Sequence, residues 1–178
     1  MLALPRTAPP DASMRVLTIS GWSGAGKTTL LTTLIPLFIQ RGLNVSSIKH
    51  AHHNAALDRP GKDSFRHAEA GAREVILTTE DRFALFSHTS APLTALLARL
   101  APVDLVLVEG FKQEPLPRLA VFRPELGKPA PWPDKHLLAV ASNAALPDCP
   151  VPVLALDQPG EIVDFLLPKL GLNKNERA

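Results

Sequence analysis

The stretch RVLTISGWSGAGKTTLLTTLIPLFIQR, residues 15–41, decides the fold. Arg15 to Ser20 make a short apolar run with β-branched residues, the length and texture of a buried strand. Thr28 to Arg41 carry apolar residues at helical spacing as far as Gly42, which closes the helix. Pro36 falls inside that helix and is expected to bend its middle turn. Between strand and helix, Gly21, Trp22, Ser23, Gly24, Ala25, Gly26, Lys27 and Thr28 match G-x-x-x-x-G-K-[ST] in full. Glycines let the backbone turn so that successive N–H groups point inward, and the positive end of the helix dipole adds to their attraction for phosphate oxygens. In such a loop Lys27 is expected to reach the β and γ phosphates and the Thr28 hydroxyl to ligate Mg²⁺, with Thr29 counted in the same nucleotide-binding turn. A glycine-rich turn arising by chance is the plain alternative, and the strand before it and the helix after it argue against that.

Outward from this unit, short β-rich runs alternate with helical patterns. Asn44 to Lys49 reads as a second strand, and Lys62 to Ala70 as a helix ending at Gly71. Residues 73–79 and 82–87 read as a hairpin turning at Glu80 and Asp81, and Pro92 to Leu100 as an amphipathic helix with proline in its first turn. Val103 to Val108 is the most continuous apolar run, which suits a central parallel strand covered on both faces. Nine of the 18 prolines fall between Pro115 and Pro152, so long helices are not expected there. Residues 118–123, 136–142 and 151–155 remain as strands within loops, and Gly160 to Leu170 as a last helix over one sheet face. The alternation predicts an α/β, three-layer P-loop NTPase domain: a mostly parallel sheet flanked by helices, with an antiparallel β-hairpin extension. Residues 14–172 are expected to form a single nucleotide-binding domain, between a flexible N-terminal tail at 1–13 and a polar tail at 173–178.

Composition excludes several classes. A chain of 178 residues with 46% apolar and 20% charged residues can bury a proper core without staples. The lone Cys149 rules out a disulfide scaffold. No apolar run reaches transmembrane or signal-peptide length, so a soluble, cytoplasmic protein is expected. A formal charge of +2, with Lys and Arg scattered, gives no support to nucleic acid as a partner.

A nucleotide-hydrolysing loop also needs an acid near the phosphates. Glu109, followed by Gly110 at the end of the apolar strand, has the form of a Walker B segment, placed where ligands of open α/β sheets bind. There it could hold Mg²⁺ or orient an attacking water; a solvated strand-end glutamate is the bland alternative. Asp104, at the other end of that strand, is the weaker candidate. After the second strand, Lys49, His50, His52 and His53 lead into a polar loop, and Pro60-Gly61-Lys62-Asp63-Ser64 opens the next helix. Three clustered histidines invite a metal reading, but no further ligand stands at zinc spacing. Lys49, His50 and Arg66 instead offer donors to an anion. Asp63 offers a second carboxylate for Mg²⁺ or water, or is the N-cap of its helix; the residues leave both open. No N-K-x-D motif for guanine follows any strand, and Asn173 to Glu176 matches it only by accident in the tail. Ser142-Asn143-Ala144, just after a strand, is the better place for a backbone N–H to meet guanine O6. The segment Pro115 to Pro133 carries no assignable role.

GWSGAGKTTLL, IKHAHH, PGKDSFRHAEAGA and LVEGFK, in that order and spacing, resemble the MobB-type molybdopterin-guanine dinucleotide biosynthesis adaptor proteins over residues 15–123. The resemblance implies a GTP-binding protein with weak hydrolysis that works beside the guanylyltransferase joining GMP to molybdopterin, contact with other molybdenum cofactor proteins, and a homodimer formed through its sheets. It carries the nucleotide loop onto Gly21 to Thr28, the Walker B acid onto Glu109, and the family's histidine and PGKDS motifs onto His50, His52, His53 and Asp63. GTP and Mg²⁺ are then the expected ligands, with Thr28, Glu109 and Asp63 on the metal and Glu109 and Asp63 as the candidate catalytic acids. Two other readings share the loop. A P-loop kinase or ATP-dependent enzyme for a small metabolite needs an arginine-bearing lid, for which only Arg118, Arg123 and Lys128 are present; a metal-delivery GTPase would use the histidines. No glutamine or arginine finger stands in a recognisable motif, so slow turnover is expected.

Overall fold

The computed structural model describes residues 14–51 and 58–172. They gather into two compact units, one combining residues 14–50 with 97–172 and the other holding residue 51 and residues 58–96.

The larger unit is built on a parallel sheet. Strands β1 (Arg15–Gly21), β2 (Val45–Lys49), β5 (Leu105–Glu109), β6 (Arg118–Val121), β7 (Leu137–Ser142) and β8 (Val153–Ala155) lie in the order β2-β5-β1-β6-β7-β8, every neighbouring pair parallel. The reading of the apolar run at Val103 to Val108 is met: β5 is buried at all five positions between β2 and β1. It starts at Leu105, two residues later than expected, because Asp104 accepts from the Asn44 N–H at 2.8 Å and so serves the strand's entry.

Side-chain alternation assigns the two faces. Leu17 and Ile19 of β1, Leu105 and Leu107 of β5, and Leu119 and Val121 of β6 join one core with Leu30, Leu31, Leu34 and Phe38 of helix α1 (Lys27–Gln40) and Ile162, Val163 and Leu166 of helix α4 (Pro159–Lys169). Helix α1 runs uninterrupted through Pro36. It ends where the Gly42 and Leu43 N–H groups turn back to the Ile39 and Phe38 carbonyls, a closure that needs the left-handed backbone of Gly42. On the opposite face a smaller cluster, Ala120, Phe122, Leu137 and Val140, is covered by Trp132, Leu146, Cys149 and Val151 from the proline-rich part of the chain. Prolines at 150 and 152 shorten β8 to three residues, since neither can donate to a ladder, although the Pro152 carbonyl still accepts from Val140.

The smaller unit holds helix α2 (Asp63–Glu69) and a separate antiparallel pair, β3 (Glu74–Thr78) with β4 (Phe83–Ser87), which is the expected hairpin. Its turn closes through Thr79 N–H to the Arg82 carbonyl at 2.8 Å, and Asp81 accepts from the Thr79 hydroxyl at 2.7 Å. Helix α3 covers only Leu93–Leu97 where Pro92 to Leu100 is expected, because so short a helix has little stability of its own. Among the described residues no helix is long and apolar enough to cross a membrane.

Candidate functional site

The site is assembled at the carboxyl edge of the parallel sheet of the larger unit. Gly21 ends β1 with φ of 144°, pressed so close to β6 that a Cβ there would stand 2.5 Å from the Val121 carbonyl oxygen. The loop turns at once, with the Ala25 N–H reaching the Trp22 carbonyl, and Gly26 enters α1 in left-handed backbone with no side-chain cap. The first N–H groups of α1 therefore have no side-chain acceptor at their end. Lys27 folds over this turn, its Nζ donating to the Trp22 carbonyl at 2.9 Å. Partial burial lowers its pKa from the usual lysine range; Lys112 and Lys49 push the same way, while Glu109 opposes them. An anion arriving here would favour the charged form that burial disfavours.

Three side chains from three elements converge beside the loop. Thr28 Oγ1, in the first turn of α1, lies 2.9 and 3.0 Å from the two carboxylate oxygens of Glu109, to which its hydroxyl donates. Lys49, ending β2, donates to Thr28 Oγ1 at 3.2 Å and stands 3.5 Å from Glu109 Oε2. The sheet explains the meeting: Lys49 and Glu109 are register partners at the ends of adjacent parallel strands, on the face that α1 covers. Glu109 is 7% exposed, which removes the reading of a solvated strand-end glutamate. A hydroxyl and a carboxylate are hard oxygen donors and suit Mg²⁺, with Lys49 as the competing partner. Thr29 is exposed, and its carbonyl accepts from the hydroxyls of Thr32 and Thr33.

The turn after β5 is strained. Gly110 has φ of 101°, and a Cβ on it would meet the His50 Cβ at 2.7 Å; Phe111 follows at φ of 49°, an unfavourable region for an aromatic residue. His50 is held in this turn by its N–H to the Glu109 carbonyl at 2.8 Å and by its ring stacked on Phe111 at 4.6 Å. His52 and His53 lie outside the described residues. Among the described residues no three His, Cys, Asp or Glu side chains gather as a metal site.

The proline-rich segment, unassigned from the sequence, borders the loop. Trp22 donates its indole N–H to the Pro129 carbonyl at 2.9 Å, and the ammonium groups of Lys112 and Lys128 lie 5.1 and 5.9 Å from its ring centroid. Behind it is a cavity of about 170 Å³ lined by Trp22, Lys112, Arg118, Phe122, Pro131 and Asp134. Arg118, counted with the lid arginines of a kinase, is 8% exposed. It is consumed by an ion pair with Asp134 and by the Lys112 and Glu114 carbonyls. Arg123, weighed from the sequence only as a lid arginine, instead reaches the glycine loop, its Nε donating to the Ala25 carbonyl at 3.0 Å. The one available signal was an arginine just past the strand that follows the Walker B segment.

Other expected residues stand elsewhere. Asn143 is exposed just beyond β7, and the Ala144 N–H of that turn is engaged by the Ser142 hydroxyl at 3.2 Å. Asp63 belongs to the smaller unit, and its capping alternative is corrected: Lys62 occupies the N-cap and Asp63 is the first helical residue, exposed and 4.0 Å from Arg66. The carboxylate organising that turn is Asp58, which accepts from the Arg59 N–H at 2.7 Å and the Ser64 hydroxyl at 3.1 Å.

A parallel sheet with a glycine loop leading into α1, and an acid at the end of the neighbouring strand, defines a P-loop-like α/β protein. Residues 16–143 match the family model of MobB, molybdopterin guanine dinucleotide synthesis protein B, and the chain belongs to that family. It is 46% identical over 157 residues to the molybdopterin-guanine dinucleotide biosynthesis adapter protein of Haemophilus influenzae, covering 85% of this chain and 86% of that one. It is 38% identical over 160 residues to that of Escherichia coli, covering 85% and 91%. The crystal structure of Bacillus subtilis MobB superposes with a TM-score of 0.70 at 23% identity, over 88% of this chain and 98% of that chain, which establishes the shared fold.

Proposed function

We propose that this protein is a GTP-binding adapter of molybdopterin guanine dinucleotide biosynthesis, which binds Mg·GTP across Gly21 to Thr29, hydrolyses it slowly and works beside the guanylyltransferase that joins GMP to molybdopterin. Its family membership supports the pathway. The observation that carries the nucleotide reading is the meeting of Thr28, Glu109 and Lys49 at the mouth of a loop whose N–H groups stand at a helix start. Bound Mg²⁺ would neutralise charge on the phosphate oxygens, and Thr28 and Glu109 are the residues that would hold it. Lys27 would leave the Trp22 carbonyl for the β and γ phosphates. Lys49 and His50 border the same mouth, and the Asn143 turn is the place for the base. Asp63 is retained as a second acid on the family resemblance.

Slow turnover has a physical basis. Glu109 is already engaged by the Thr28 hydroxyl and the Lys49 ammonium, and under this reading by the metal, so its oxygens are not free to take a proton from water. The test is a titration with GTP, GDP and ATP, with and without Mg²⁺, followed by a turnover assay. Mg·GTP should bind more tightly than Mg·ATP, with turnover well below the enzyme median of about 10 per second. Turnover at ordinary enzyme rates without a partner would overturn the adapter reading.

A further inference from the structure

Among the described residues Arg123 is the one guanidinium that touches the glycine loop without being used up there. It leaves the chain just after β6, and β6 pairs with β1 along Thr18 to Gly21, so Arg123 stands beside the loop opposite β5. Its Nε donates to the Ala25 carbonyl at 3.0 Å, and its Nη1 lies 3.4 Å from Glu125. Its Nη2 has no hydrogen-bond partner among the described residues. That free end lies over Gly26: a Cβ there would stand 3.8 Å from Nη2. The side chain is 30% exposed, which leaves room for a ligand.

Resting on the nucleotide reading above, we propose that Arg123 is a phosphate-binding residue that takes the phosphate nearest the nucleoside. The sheet order sets the direction. Thr28, Glu109 and Lys49 lie on the β5 and β2 side and claim the metal and the terminal phosphates. Asn143 follows β7, on the other side, where the base is placed. A nucleotide laid from one to the other passes β6, and Arg123 faces its inner phosphate. Guanidinium pairs with phosphate through two parallel N–H bonds, and here one N–H is spent fixing the fork against the loop while Nη2 stays available.

The experiment compares wild type with Arg123→Ala, Arg123→Lys and Arg123→Gln against guanosine di- and triphosphate, with and without Mg²⁺ and across a salt series, with melting temperatures recorded. Gln keeps a neutral donor for the Ala25 carbonyl and lacks the charge, so it separates phosphate binding from mere bracing of the loop. Arg123→Ala and Arg123→Gln should each lose about tenfold in affinity for both nucleotides, the order expected for a charge-assisted hydrogen bond. The loss should be alike with Mg²⁺ and EDTA, salt dependence should be weaker, and Arg123→Lys should recover part of the affinity. Wild-type affinity in Arg123→Gln, or a loss confined to the Mg²⁺-triphosphate, overturns the proposal. A wild type that binds neither nucleotide instead overturns the nucleotide reading beneath it.

Discussion

Thr28 has one hydroxyl hydrogen and a carboxylate to give it to, with Lys49 donating into the same oxygen. That arrangement holds the α1 start against the end of β5 before any ligand arrives. Under the nucleotide reading Thr28 exchanges this contact for the metal, while the backbone N–H groups keep the phosphates. Thr28→Ala should therefore weaken GTP binding about tenfold with Mg²⁺ present, roughly one charge-assisted contact, and little in EDTA. Calorimetry under both conditions checks this, and an equal loss in both would assign Thr28 to the helix start alone. At this scale much was legible: the loop, its lysine and threonine, and Glu109 are local pattern, readable from spacing. Arg123 was not, because its reach to Ala25 spans 98 positions of sequence and depends on β6 lying beside β1. Asp63 misled for a related reason: an acid three residues after Pro60 suits a cap, but the helix begins at Asp63 itself, one residue earlier than a cap there requires.

Helix α1 positions the loop because its inner face is anchored. Leu34 and Phe38 are wholly buried between the sheet and α4. Truncating Phe38 to Ala removes a ring from a site closed on all sides and should cost about 3–5 kcal/mol. A denaturant midpoint lowered with an unchanged slope would show it, and a change under 1 kcal/mol would mean that α1 is not held through this residue. The elements were readable where periodicity was long: α1, α4, β1 and the hairpin each fall within a few residues of their expected bounds. Short elements were less so. Strand β6 stops at Val121, since Phe122 turns into the proline-rich cover and Arg123 into the loop. No periodicity in the segment from Pro115 to Pro133 could say that Pro129 would accept from Trp22.

At the scale of the molecule, the smaller unit presents an unusual surface: Ile76, Leu77, Phe83 and Leu85 of its two-stranded sheet are exposed, Phe83 at 72%. The homodimer implied by the family resemblance is proposed to cover this sheet. Sedimentation at micromolar concentration should give a dimer for wild type and a monomer for Phe83→Asp; a monomeric wild type would dismiss the dimer. The division into two units was not visible in the sequence, since the chain leaves the larger unit after His50 and returns at Leu97 with no change of composition at either point. What the larger unit brings together is a glycine loop, a partly buried lysine folded over it, and an acid held by a threonine and a second lysine. The central claim is that this edge of the sheet binds Mg·GTP, and calorimetric titration of wild type and Lys27→Ala tests it most directly. The account predicts stoichiometric binding by wild type and its loss in a variant that still folds. Equal GTP affinity in the two proteins would contradict it.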